Sequence, residues 1–112
     1  MKILVEKISG ITVVTMDGEL SVDNSIALRE SFLKMLKEGS TKVLVDFEKV
    51  TFVCSAGLAT LIEMMQMLKK SGGKLAICNV NKDVKGLFEI TKIHKLIPIY
   101  EHREMAMKDL GT

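Results

Sequence analysis

Short β-rich runs alternate along the chain with longer stretches whose apolar residues recur at helical spacing. Ile3-Leu4-Val5 and Ile11-Thr12-Val13-Val14-Thr15-Met16 are extended runs. The Ser9-Gly10 pair between them marks a tight turn, so the two predict an opening hairpin that ends at Asp17-Gly18. The polar group Ser21-Val22-Asp23-Asn24-Ser25 then offers N-cap candidates. Leu28, Phe32 and Met35 follow on one face of a helix that closes near Gly39. Lys42-Val43-Leu44-Val45-Asp46-Phe47 is almost continuously apolar, as expected of a central strand buried on both faces. From Ser55 a second helix carries Leu58, Leu61, Ile62, Met65 and Leu68 on one face and stops at Lys69-Lys70 and Gly72-Gly73. Lys74-Leu75-Ala76-Ile77-Cys78 returns to strand character, and strand, helix and strand in succession predict a right-handed crossover between parallel strands. Asn81 caps a shorter helix that turns Val84, Leu87 and Phe88 inward. Pro98 makes Ile97-Pro98-Ile99-Tyr100 an edge strand, because proline has no N–H for a ladder, and Arg103 to Leu110 is helical. These elements predict an α/β domain with a mixed sheet of about four or five strands and helices mainly on one face.

Composition narrows the function classes. A chain of 112 residues has the usual size of one core, so residues 1–112 are expected to form one domain. Lys and Arg number 16 against 14 Asp and Glu, interspersed throughout, so no single-signed field favours nucleic acid as a direct partner. Cys54 and Cys78 stand alone, without a Cys-x-x-Cys pair or a His cluster, which suggests neither a disulfide framework nor a zinc site, and no cofactor is implied. Glu6 and Lys7 interrupt the N-terminal apolar run too early for a signal peptide, and no stretch approaches the roughly 18 apolar residues that span a membrane. The expected location is the cytoplasm.

The chemistry-bearing segment is Phe52-Val53-Cys54-Ser55-Ala56-Gly57-Leu58, which joins an extended run to the longest amphipathic helix. Ser55 falls where a helix presents unpaired N–H groups, a position suited to an anion such as phosphate, and small Ala56 and Gly57 leave room for a partner's backbone or a nucleotide to approach. A plain helix-capping role for Ser55 explains the same residue type. Enzyme activity is disfavoured: a hydrolase needs a nucleophile, a base and an oxyanion site, and neither His94 nor His102 sits in a recognisable motif as the base. Cys54 and Cys78 read as small hydrophobes. Thr60, Met64 and Met67 form a second stripe on the Ser55 helix, either a docking surface of adaptable side chains or the border of the core. Asp23 either receives a partner's hydrogen bond or caps the first helix.

The Gly18-Glu19-Leu20 turn, the Lys42 to Phe47 strand, Cys54-Ser55-Ala56-Gly57-Leu58, Gly72-Gly73-Lys74-Leu75 and Val84-Lys85-Gly86-Leu87-Phe88-Glu89-Ile90-Thr91 occur in an order and spacing that resemble bacterial anti-sigma factor antagonists of the STAS domain family. The resemblance covers essentially the whole chain. It implies a STAS-like α/β domain that binds an anti-sigma factor, itself an ATP-dependent serine kinase, and so frees a sigma factor. Phosphorylation of one serine, here Ser55, ends that binding, and a phosphatase restores it. Cys54 occupies the position before the phosphoserine, where the family carries Asp or Ser. Ser21 replaces the acidic residue that many members carry after the Gly-x-Leu turn, with Asp23 two positions later. The expected partner-contacting set is Ser21, Asp23, Cys54, Ala56, Gly57, Thr60, Met64 and Met67. A STAS accessory subunit of a transporter or lipid-trafficking complex, without a phosphorylation cycle, is the alternative.

Overall fold

The computed structural model describes residues 2–111; Met1 and Thr112 lie outside it. Five strands form one sheet in the order β1 (Lys2–Ile8), β2 (Ile11–Leu20), β3 (Lys42–Val53), β4 (Lys74–Cys78), β5 (Ile99–Tyr100). The β1–β2 hairpin is antiparallel, and β2, β3, β4 and β5 run parallel, so the sheet is mixed. Ser9 and Gly10 both take positive φ (52° and 80°), the two-residue turn whose twist matches that of the flanking strands.

The helices are α1 (Val22–Lys37), α2 (Ser55–Lys70), α3 (Lys82–Ile90) and α4 (Arg103–Gly111), with a 3₁₀ turn at Ile93–Lys95. Helices α1, α2 and α3 cover one face of the sheet, where Phe32, Phe47, Leu61, Met64, Leu68 and Phe88 join the main core. Helix α4 alone covers the other face, setting Ala106 and Leu110 on Ile11, Val13, Leu44, Ala76 and Cys78. This explains why Val43 to Phe47 read as an almost continuous apolar run: Val43, Val45 and Phe47 enter one core and Leu44 the other.

Two strands outrun their sequence signals. Asp17-Gly18 reads as a turn but forms a bulge, with Gly18 at φ 118°, after which β2 pairs with β3 as far as Leu20 and Val53. The solvent-exposed Glu48 and Lys49 likewise belong to β3, held by that same pairing.

Asp46 is the polar exception within the run. The residue is 1% exposed, and its carboxylate accepts hydrogen bonds from Arg103 Nε (3.0 Å) and Nη2 (2.8 Å), from the Glu48 N–H and from Asn79 Nδ2. Arg103 opens α4, so this charge-assisted pair clasps the lone helix to the sheet.

Candidate functional site

The candidate site is built by the parallel pairing of β2 and β3. Leu20 lies opposite Val53 and its carbonyl accepts the Cys54 N–H at 3.0 Å, so α1 and α2 begin side by side at the carboxyl end of the sheet. Ligand sites of open α/β sheets gather at that end. Gly57 lets α2 come this close: a Cβ there would stand 2.8 Å from Leu20 Cγ and Cδ2 and 3.1 Å from Val53 Cγ1.

The start of α2 differs from the other helices in its electrostatics. The Leu58 N–H is the first to find an intrahelical acceptor, the Cys54 carbonyl, which leaves the amides of Ser55, Ala56 and Gly57 unspent within the helix. Ser55 is the first helical residue and is exposed, while Cys54 holds the N-cap position and makes no side-chain cap bond. No acidic residue occupies the first turn of α2, whereas α1, α3 and α4 carry Asp23, Asp83 and Glu104 there. The positive end of the α2 dipole therefore faces solvent without a built-in counter-charge.

Around Ser55 the expected partner residues divide. Ser21 is half-buried as the N-cap of α1, its Oγ accepting the Asn24 N–H at 3.3 Å, and Asp23 is exposed in the first turn. Ser21, not Asp23, is the cap. Cys54 and Ala56 are half-buried beside Ser55. Gly57 is buried against Leu20 and Val53, so its missing side chain serves packing within the chain rather than a partner's approach. Thr60 (8% exposed) donates to the Ala56 carbonyl, and Met64 (1% exposed) lies in the main core. Neither can form a contact surface. The buried stripe of α2 is Gly57, Thr60, Leu61, Met64 and Leu68, while Leu58, Ile62 and Met65 are only partly buried. Met67 is half-buried near Leu36 and Lys70, about 18 Å along the helix from Ser55 at 1.5 Å per residue.

This assignment has a direct test. Met64→Ala is expected to lower the unfolding free energy by about 2–5 kcal/mol as a large-to-small core change. Met67→Lys should cost under about 1 kcal/mol, because a long amphipathic side chain at a half-buried position keeps its charge in water. Urea denaturation of both variants measures the difference; equal losses would show that both residues serve the core.

At this end of the sheet three exposed apolar side chains escaped the sequence reading. Val22 and Ile26 (60% and 55% exposed) lie one turn apart at the start of α1, and Phe52 (53% exposed) lies opposite Glu19, one residue before the end of β3. The signal for Val22 and Ile26 was present, since at about 100° per residue both fall outside the buried stripe of Ser25, Leu28, Phe32 and Met35. An ion pair between Arg29 and Glu63 (2.6 Å) ties the two helices, exposed and so worth under about 1 kcal/mol.

The cysteines differ from one another. Burial, reinforced by the charge of Asp46, pushes the Cys78 thiol up to about 12, so it stays neutral and unreactive. Cys54 is half-buried rather than part of the core. His94 is an exposed residue whose Nδ1 lies 3.2 Å from the Phe88 carbonyl.

Comparison with known proteins matches this arrangement as a whole. The chain is 24% identical over 111 residues to an anti-sigma F factor antagonist of Paenibacillus polymyxa, covering 98% of this chain and 95% of that one. It is 29% identical over 86 residues to the anti-sigma-B factor antagonist of Bacillus subtilis, covering 77% and 78%. The crystal structure of an anti-sigma factor antagonist from Mycobacterium paratuberculosis superposes with a TM-score of 0.90 at 22% identity, covering 99% and 94%. The family model described as the STAS domain matches residues 2–106, which with the five-stranded sheet and its four helices places the chain in the STAS domain family.

Proposed function

We propose that this chain is an anti-sigma factor antagonist that docks on an anti-sigma factor with serine kinase activity, through the surface around Ser55, and that phosphorylation of Ser55 ends the binding. The names of the curated relatives support the role of anti-sigma factor antagonist. The observation that carries the second half is the bare start of α2, where an exposed Ser55 hydroxyl meets three unspent amides and no acidic neighbour in the first turn. Phosphate adds roughly −1.5 to −2 charges. Within the chain the helix N-terminus stabilises that anion by up to about 2 kcal/mol, so the fold tolerates it. Across a close-packed interface the same charge must be desolvated and meets whatever carboxylates or nucleotide phosphates the kinase presents. Binding is lost while folding survives. Exposed Val22, Ile26 and Phe52 supply apolar contact area near the switch, with Ser21 and Asp23 as polar contacts. The cycle needs a phosphatase to reset it and belongs in the cytoplasm, where kinase and sigma factor meet; among the described residues no helix is long and apolar enough to cross a membrane.

The test combines calorimetric titration with candidate anti-sigma factor kinases of the source organism and mass spectrometry after incubation with kinase and ATP. Ser55→Ala should bind as the wild type and take no phosphate. Ser55→Asp should bind at least about tenfold more weakly, a single carboxylate imitating phosphate in part. Phosphate on Thr51 with Ser55 unmodified, or full-affinity binding by Ser55→Asp, would overturn the switch.

A further inference from the structure

Strand β1 is the outer edge of the sheet, and both of its faces are largely solvated, with Leu4 49% and Val5 42% exposed. Such an edge presents unpaired N–H and C=O groups, a template for another strand. Helix α1 does not close it, since an open cleft of about 380 Å³ lined by Val5, Lys7, Ser31, Lys34 and Glu38 lies between them. We propose that β1 pairs antiparallel with β1 of a second copy of this chain, about a two-fold axis at Leu4.

The hairpin decides which groups are available. The two-residue turn makes Ile8 and Ile11 the closing hydrogen-bonded pair, and bonded pairs then alternate along an antiparallel ladder. Lys2, Leu4, Glu6 and Ile8 thus direct their backbone groups to β2, and Ile3, Val5 and Lys7 direct theirs outward. A second β1 must match odd residues with odd. The two-fold registers that satisfy this centre on Ile3, Leu4, Val5 or Glu6.

Side chains select among them. Centred on Leu4, the register sets Lys2 against Glu6 of the second copy, Ile3 against Val5, and Leu4 against itself, so Lys2 and Glu6 each meet the opposite charge and Ile3, Leu4 and Val5 each meet an apolar residue. Lys2, Leu4 and Glu6 share the α4 face: Leu4 lies opposite Thr15, which Arg103 reaches, and the Glu6 charge acts on Arg103. The ion pairs and the Leu4 contact therefore form on one face and the Ile3 and Val5 contacts on the other. Centring on Ile3 puts Lys2 against Leu4. Centring on Val5 puts Leu4 against Glu6, and centring on Glu6 puts like charges together. The axis stands perpendicular to the sheet, so two five-stranded sheets join as ten strands with α1, α2 and α3 of both copies on one face. The two Ser55 sites then lie at opposite ends of the assembly, free to engage two partners at once.

Sedimentation of the full chain, at concentrations rising to about 1 mM, tests the pairing. The wild type should approach a mass twice that of one 112-residue chain. Val5→Pro removes an outward N–H and no bond to β2, so it should stay monomeric with an unchanged circular dichroism spectrum. Glu6→Lys should weaken association about tenfold, and adding Lys2→Glu to it should restore the dimer, because the two ion pairs reform with reversed polarity. A wild type that stays monomeric throughout, a Val5→Pro chain that dimerises as the wild type does, or a double swap no better than Glu6→Lys alone would overturn the proposal.

Discussion

Replacing Arg103 by alanine is expected to lower the unfolding free energy by about 3–5 kcal/mol, more than any other exchange of a partly exposed side chain in this molecule. The cost lies in what remains. Asp46 is 1% exposed between the two cores, and among the described residues its Oδ2 accepts only from Arg103, at 3.0 Å from Nε and 2.8 Å from Nη2. Removing the guanidinium leaves a buried charge with the Glu48 N–H and Asn79 Nδ2 on the other oxygen alone. The reverse exchange should be milder. The Arg103 side chain is 36% exposed, so in Asp46→Ala it can turn into water, and the loss should be about 1–3 kcal/mol. The asymmetry is the diagnostic, and urea denaturation of the two variants measures it. If Asp46→Ala were the costlier exchange, the packing of the carboxyl group rather than its charge would be holding α4 to the sheet.

The same pair shows where sequence reading stops. The elements were legible because their signals are local: the Ser9-Gly10 turn, the polar group Ser21 to Ser25 around the start of α1, the Asn81 cap, whose side chain accepts the Val84 N–H, and the Gly72-Gly73 stop. Ser55 at the start of a helix was legible for the same reason. Asp46 and Arg103 are 57 residues apart, and nothing in the apolar run around Asp46 signals a partner. The inward face of α2 depended on a neighbour as well. Period alone allows the stripe to centre on Leu58, Leu61 and Met65 or on Gly57, Leu61 and Met64; the close approach of Gly57 to Leu20 and Val53 selects the second. That rotation carried Thr60 and Met64 out of the expected contact surface and left Val22 and Ile26 of α1, with Phe52 of β3, as the exposed apolar residues at the end of the sheet where α2 begins.

Gly73→Ala is the second exchange with a large expected effect, about 3 kcal/mol, and the comparison with Gly72 gives the reason. Gly72 has φ 76° with nothing near its missing Cβ, so Gly72→Ala meets only the strain of a left-handed backbone, about 1–2 kcal/mol. At Gly73 the obstacle is matter. A Cβ there would overlap the Thr41 carbonyl oxygen and crowd Leu68 Cδ2 at 3.1 Å and the Leu68 carbonyl at 3.2 Å. None of these can yield cheaply. The Thr41 carbonyl accepts the Lys74 N–H at 2.8 Å where β4 begins to pair with β3, and the Gly73 N–H donates to the Leu68 carbonyl at 2.7 Å to close α2. Relieving the overlap therefore breaks either the first rung of the β3–β4 ladder or the end of the helix that carries Ser55. Thermal unfolding should show a midpoint for Gly73→Ala well below that of Gly72→Ala, with each 1 kcal/mol worth about 4–8 °C at this size. Equal midpoints would mean that the α2–β4 connection gives way without cost, and that the crossover, with α2 in its place, is held by the core alone.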